Sequence, residues 1–263
     1  MVQPKFSIIT VCYNAGDKLC ETIHTALSQE YDNFEIIVKD GLSKDGSLEK
    51  VPKDDRISVY SFADKGIYDA MNQAIEKITG DYVYFLNCGD SFYDEHVLSN
   101  VAKYMEENQG RGIYYGDTYK ESTNSFVPMP KELTAFTCYR NIPCHQACFY
   151  HKSLFEEGGY DLEFKIRADY EHFLWCFFKK EVRPVHTGLI IANYEGGGFS
   201  ETRENQKRDR LEHKITVEKY MKKGQLFLAR TYMVVTLMPL RRALSNSKHF
   251  SKFYNAIKKC LYR

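Results

Sequence analysis

The sequence has no apolar stretch long enough to cross a bilayer. Its longest apolar run toward the C-terminal end, Met233 to Leu240, is broken by Thr236 and Pro239. It falls far short of the ~20 residues a spanning helix needs. No Cys-x-x-Cys pair occurs among the eight cysteines, several of which sit in apolar runs such as Val11-Cys12 and Trp175-Cys176. The paired spacing of zinc ribbons is thus missing, and the apolar surroundings predict reduced thiols. Internal repeats and low-complexity tracts are also missing. The opening residues Met1-Val2-Gln3-Pro4-Lys5 lack the charged head and apolar stretch of a signal peptide, which predicts a cytoplasmic protein. Net charge is nearly absent, at +1.

What is present is an ordinary globular composition. The 263 residues are 43% hydrophobic and 27% charged, which excludes disordered and collagen-like chains and suffices for a full core. The near-zero charge hides an asymmetry. Residues 1–204 hold 21 Lys/Arg and 32 Asp/Glu, a balance of −11, and residues 205–263 hold 15 and 3, a balance of +12. The sequence therefore divides into an acidic body, 1–204, and a basic helical extension, 205–263. A basic extension suits an anionic partner. No nucleic-acid recognition motif accompanies it, so no nucleic-acid partner is expected. Its Tyr and Phe residues and the amphipathic segment Leu226 to Leu244, with Arg230, Arg241 and Arg242, fit the inner face of the cell membrane. A helical pair packed on the body, or a homodimer contact, is the alternative.

The first hundred residues alternate between two periods. Strand runs fall at Phe6–Cys12, Phe34–Val38, Ile57–Phe62 and Tyr82–Leu86. Helical spacing falls at Asp17–Glu30 and Gly66–Ile78. Such alternation predicts βαβ units and a parallel sheet, with ligands beyond the carboxyl ends of the strands. Polar clusters follow the strands directly: Tyr13-Asn14, Asp40-Gly41 and Asn87-Cys88-Gly89-Asp90. Further on, a strand is expected over Gly112–Tyr119, a loop over Asn124–Thr137, an apolar helix over Ala168–Lys179 and a strand over Gly188–Tyr194. Helices are expected from Glu201 onward.

Each cluster has a plain and a functional reading. Asp40 to Ser47 is either a βα turn capped by Ser43 or Asp45, or a turn approaching a ligand. Asp90 at a strand tip is either a turn residue or an oxygen ligand for a hard cation. Asp169 either caps a helix, whose N-terminus favours an ionised carboxylate, or serves a reaction. His145-Gln146 lies either beside a strand as core or in a binding site. Gly196-Gly197-Gly198-Phe199-Ser200 is either a flap or a hinge. His172, Trp175 and Phe177 are expected to pack.

In order, Thr10-Val11-Cys12-Tyr13-Asn14, Asp40 to Ser47, Asp64 to Asn72, Leu86 to Asp90 and Ala168-Asp169-Tyr170-Glu171 resemble family 2 glycosyltransferases. The nearest subgroup builds bacterial surface polysaccharide. The resemblance spans residues 4–200 and does not cover the basic extension. It implies a GT-A, Rossmann-like α/β fold: a mixed, mainly parallel central sheet flanked by helices, here followed by the basic helical extension. It implies an inverting, metal-dependent hexosyltransferase moving sugar from a UDP- or GDP-sugar donor to a glycan or lipid-linked acceptor. Thr10, Tyr13, Asn14 and Asp40 correspond to donor base and ribose positions, with Asp64 and Lys65 near the ribose or diphosphate. Asp90 corresponds to the Mg²⁺ or Mn²⁺ ligand and Asp169 to the catalytic base. Asn87, His145 and Gln146 correspond to sugar or acceptor positions. The sequence departs from the family at Asn87 and Gly89, where carboxylates are common, and at Ala168, where an acidic partner is common. The altered metal motif leaves a second reading, a catalytically idle nucleotide-binding or scaffold subunit. Retention of Asp40, Asp90 and Asp169 argues against it.

Overall fold

A computed structural model describes residues 3–108, 112–195 and 205–236. Strand β1 (Phe6–Cys12) is buried along its whole length, as an unbroken apolar run requires of a strand covered on both faces. It lies between β2 (Phe34–Asp40) and β4 (Tyr82–Phe85), both parallel to it, and β3 (Ile57–Ser61) adds in parallel outside β2. The register aligns Cys12 with Asp40 and Asp40 with Ser61. Because these strands run the same way, the segments leaving them gather at one edge of the sheet.

Helix α1 (Lys18–Leu27) buries Leu19, Ile23 and Ala26, and α2 (Ile67–Ile75) buries Ala70, Met71 and Ala74. Both show the apolar stripe of a helix resting on a sheet. Beyond β4 the sheet changes sense. β8 (Cys148–His151) pairs antiparallel with β4, and β6 (Ile113–Lys120) antiparallel with β8. β9 (Val185–Tyr194) runs parallel to β6, and the two-residue β5 (Ser91–Phe92) closes the row against β9. The order is β3-β2-β1-β4-β8-β6-β9-β5, with β7 (Ser125–Val127) hanging on β6. This is the mixed α/β sheet expected, and β1 to β4, α1 and α2 fall where the periodicity puts them.

Two segments differ from expectation. The stretch 124–137 is not all loop: it holds β7 and the start of α4 (Ala135–Arg140), capped by a reciprocal Thr134–Thr137 pair. Helix α3 (Val97–Glu107), unanticipated, buries Val97, Leu98, Val101, Ala102 and Met105. It joins a core with Phe6, Ile8, Phe34 and Tyr84. Tyr84 stacks between Phe92 and Phe149, with ring centroids 4.9 and 4.6 Å away. Helix α5 (Ala168–Phe178) is buried nearly all round, and His172 packs as expected, its ring stacked on Phe155 and its Nε2 at Leu154 O. Burial pulls the His172 pKa down to about 4, so it is neutral.

The chain forms two compact units, Met1–Tyr220 and Met221–Arg263. Helix α6 (Asn205–Tyr220) lies in the first and α7 (Lys223–Val235) in the second. The change in charge after Glu204 thus falls before the structural division at Tyr220. The Gly196–Ser200 loop and residues 237–244 of the amphipathic segment lie outside the described residues. Among the described residues no helix is long and apolar enough to cross a membrane.

Candidate active site

The tips of β2 and β3 are tied together by a buried lysine. Lys39 Nζ donates to the carbonyls of Asp40 and Phe62 and pairs with Asp64 Oδ2 at 3.0 Å, with only 1% of its side chain exposed. A buried ammonium persists only when paired and fully hydrogen-bonded, which this one is. Gly41 sits where a Cβ would come within 2.8 Å of Asp64 Oδ2 and 3.4 Å of the Tyr13 ring, so a side chain there would displace the Asp64 carboxylate. Asn14 adopts φ +49°, donates its N–H to Ser43 Oγ, and accepts from Lys44 N through Oδ1. Tyr13 and Lys65 are exposed beside them.

Asp40 supports this edge from inside. Its carboxylate accepts from Leu42 N, Ser43 N, Ser61 Oγ at 2.6 Å and Cys12 Sγ, and it is wholly buried. Burial pushes its pKa up, but the Ser43, Ser61 and Cys12 hydrogen bonds outweigh that and hold it below the ordinary value. The Asp40 carboxylate is thus bonded to its own turn and to the ends of β1 and β3. Thr10 is likewise buried within β1. The surface that faces outward here belongs to Tyr13, Asn14 and Lys65, with Asp64 half-buried among them.

The turn after β4 is closed by Asp90 N donating to Asn87 O, with Gly89 at φ +96°. That positive φ favours glycine, and a Cβ there would push aside the Glu195 carboxylate, whose Oε2 would lie 2.5 Å away. Asp90 is 6% exposed, accepting from Gln146 Nε2 at 2.8 Å and Glu195 N at 3.2 Å. Burial raises its pKa despite those bonds, and no Lys or Arg among the described residues pairs with it. Lys18 lies nearby but is held by Glu195 at 2.7 Å. Asn87 Oδ1 is buried with no hydrogen-bond partner. An uncompensated carboxylate and an orphaned amide oxygen on one turn fit a hard divalent cation, which takes such oxygens and keeps waters or phosphate oxygens for the rest. Among the described residues no three His, Cys, Asp or Glu side chains converge to hold a metal alone.

Asp169 is the second residue of α5, where the helix dipole favours its charge. Its side chain is 21% exposed. Oδ1 accepts from Tyr68 Oη at 2.9 Å, and Oδ2 lies 3.3 Å from His145 Nδ1. Burial works to raise its pKa, and the His145 and Tyr68 hydrogen bonds reverse that, leaving an ionised carboxylate with an open edge. The segment leading into α5 is fixed from α6. Glu212, 4% exposed, accepts the backbone N–H groups of Lys165, Ile166 and Arg167, each at 2.9 Å. Arg167 also pairs with Asp209 at 2.7 Å.

The structure thus brings Asn87, Asp90, His145, Gln146 and Asp169 into one network, and gathers Tyr13, Asn14, Asp64 and Lys65 at the neighbouring strand tips. Sequence reasoning missed Lys39, Tyr68 and Glu212. Tyr68 lay inside a quoted motif, where a tyrosine on the polar side of an amphipathic helix was the available signal. Lys39 and Glu212 gave none, since their partners are distant in sequence.

Residues 7–178 match the family described as Glycosyl transferase family 2. A PGL/p-HBAD biosynthesis glycosyltransferase of Mycobacterium bovis is 32% identical over 209 residues, covering 77% of this chain and 81% of that one. A putative teichuronic acid biosynthesis glycosyltransferase of Bacillus subtilis, TuaG, is 34% identical over 147 residues, covering 53% and 58%. Among solved structures, S. aureus TarS 1–349 in complex with UDP superposes with TM-score 0.64 at 16% identity, covering 83% of this chain and 67% of that one. A Pyrobaculum calidifontis mannosyltransferase in complex with GDP-Man and Mn²⁺ gives 0.68 at 14% identity, covering 97% and 84%. Both share the GT-A-type fold with this chain. The matched segment carries both the strand-tip edge and Asp169, and the chain belongs to glycosyl transferase family 2.

Proposed function

We propose that this glycosyltransferase is inverting and metal-dependent, moving a sugar from a UDP- or GDP-sugar to a hydroxyl of a glycan or lipid-linked acceptor. The observation that carries the reading is Asp169: a partly open carboxylate, kept ionised at a helix N-terminus, and joined through residues 145 and 146 to a buried carboxylate at the tip of β4. The relatives named for PGL/p-HBAD and teichuronic acid biosynthesis support a role in building surface polysaccharide. The neighbours holding UDP and GDP-Man support a nucleotide-sugar donor.

The donor nucleotide lies along the tips of β1 to β3. Tyr13 offers a ring face, Asn14 and Asp64 offer polar contacts, and Lys65 offers a cation to the diphosphate. Thr10 and Asp40 hold that edge from within. Asp90, with Asn87 Oδ1, would hold Mg²⁺ or Mn²⁺, which would supply charge neutralisation at the diphosphate. Asp169 accepts the proton of the acceptor hydroxyl as its oxygen bonds to the anomeric carbon and the bond to the diphosphate breaks. One-step attack from the opposite face inverts the configuration, the logic of inverting hydrolases with a sugar hydroxyl in place of water. The test is nucleoside diphosphate release from a panel of UDP- and GDP-sugars with and without Mn²⁺. Release with one donor class, dependent on metal and on Asp169, is expected. Donor binding without turnover under every condition would favour the idle-scaffold reading.

Helix α7 supports a peripheral place on the inner face of the membrane. Phe227, Leu228, Val234 and Val235 are all at least 69% exposed, on a helix that also carries Lys223 and Arg230. Such a helix can lie in the headgroup region with its cations toward anionic lipid. A homodimer through the same face is the competing use, and sedimentation of the free protein separates the two.

A further inference from the structure

His145 and Gln146 lie side by side on the 3₁₀ turn His145–Ala147, yet their side chains serve opposite ends of the site. His145 reaches Asp169 with Nδ1 and Asn87 Nδ2 with Nε2, the latter at 2.9 Å. An amide nitrogen can only donate, so Nε2 is the accepting nitrogen and the ring proton sits on Nδ1, facing the Asp169 carboxylate. Gln146 gives Nε2–H to Asp90, and its Oε1 accepts from Cys144 Sγ at 2.6 Å. It is 4% exposed, with its amide turned inward to these two partners. The turn is pinned from below. Tyr84 Oη donates to Gln146 O at 2.6 Å, and the Tyr84 ring is clamped between Phe92 and Phe149 in the core.

We propose that the His145-Gln146 turn is a positioning element, fixing how far the proton-accepting carboxylate of Asp169 lies from the diphosphate-side carboxylate of Asp90. This rests on the catalytic reading of Asp169 and Asp90 above. Neither residue touches substrate. His145 orients Asp169 through Nδ1–H, and Gln146 orients Asp90 through Nε2–H. Because both bonds spring from adjacent residues anchored to Tyr84, one rigid turn sets the span across which acceptor oxygen, anomeric carbon and leaving oxygen must line up. A misplacement of about 1 Å at such a span costs on the order of 10²-fold in rate.

The test compares His145→Ala, His145→Asn, His145→Gln and Gln146→Ala, using transfer kinetics, calorimetry of the nucleotide-sugar with Mn²⁺, and ¹⁵N spectra of the imidazole. Asn places a donor where Nδ1 was, and Gln places one where Nε2 was. The proposal expects kcat to fall on the order of 10²-fold in His145→Ala, with donor affinity and acceptor KM nearly unchanged. It expects substantial recovery in His145→Asn and none in His145→Gln. Gln146→Ala should keep a kcat defect even at saturating donor and metal. The wild-type spectrum should show the Nδ1–H tautomer. An acceptor KM defect with kcat intact, equal loss in the Asn and Gln variants, or an Nε2–H tautomer in the wild type would each overturn it. Asp169→Asn, run alongside, isolates the underlying reading: near-normal turnover there removes the base assignment, whereas the imidazole spectrum still reports on the turn.

Discussion

Replacing Asp169 by Asn separates chemistry from architecture, because the site can absorb the amide. Asp169 Oδ2 faces the His145 Nδ1–H, so the Asn oxygen belongs there. The Asn NH₂ then meets Tyr68 Oη, which donates instead to Ile166 O, already 2.8 Å away. Every hydrogen bond survives, but the charge that the helix N-terminus and those bonds favour is lost, so the thermal midpoint should fall only slightly. What is lost is proton acceptance, since an amide cannot take the acceptor's proton. General-base loss costs about 10²–10⁴ in rate. At 1.36 kcal/mol per decade that is roughly 2.7–5.4 kcal/mol of transition-state stabilisation. Nucleoside diphosphate release with saturating acceptor measures the rate, and calorimetry measures donor affinity. The expected result is turnover near background with donor affinity within about twofold of wild type, well under the 1.4 kcal/mol that one decade represents. Turnover within a few-fold of wild type would refute the assignment, and so would a loss of donor binding that parallels the loss of rate.

Asp90→Ala should abolish the gain in donor affinity that Mn²⁺ brings while leaving metal-free affinity alone; calorimetry with and without Mn²⁺ checks this, and an unchanged metal effect would place the cation elsewhere. Glu212→Ala should destabilise the fold by about 3 kcal/mol, since buried backbone donors lose a charged acceptor. Burial pushes the Glu212 pKa up, and its hydrogen bonds with Arg208 and the backbone of residues 165–167 outweigh that and lower it. Its contribution is therefore complete above the ordinary glutamate pKa and is lost as pH falls through the depressed folded value. Chemical denaturation from neutral pH down through that window should show the difference between wild type and Glu212→Gln shrinking as pH drops. Phe227→Ser with Leu228→Ser should leave transfer to a soluble acceptor intact and reduce pelleting with anionic vesicles at low salt; equal pelleting would remove α7 from the membrane contact.

The elements legible in the sequence are those that carry their own period. β1 is seven buried residues in a row, and α1 shows Leu19, Ile23 and Ala26 on one stripe. β5 and β7 are strands only because β9 and β6 accept them, so nothing local announces them. Helix α3 has readable spacing, but a polar turn shortly before it masks its start. At the site, residue identity was easier to read than role. Asp40 stands out at a strand tip, yet Ser61, 21 residues away, and Cys12, 28 away, turn its carboxylate inward. Lys39 looks like the solvent-facing residue of a strand, and only its bonds to Phe62 and Asp64 account for its burial. The resemblance located Asp169 and Asp90, and tertiary contacts made His145 and Gln146 their supports.

The match to the family ends at residue 178, but the three backbone N–H groups ahead of Asp169 are held by Glu212. A gene fragment cut at the end of the recognisable motifs would encode every signature residue and omit the clamp that sets the loop before Asp169. During synthesis, α5 leaves the ribosome before Glu212 does, so the loop ahead of Asp169 is clamped only once α6 has followed it. A protease cutting between residues 178 and 212 could disarm it without touching a single signature residue. Recombinant fragments and domain swaps in this chain should therefore be drawn at Tyr220, the end of the first compact unit, rather than at the end of the family match.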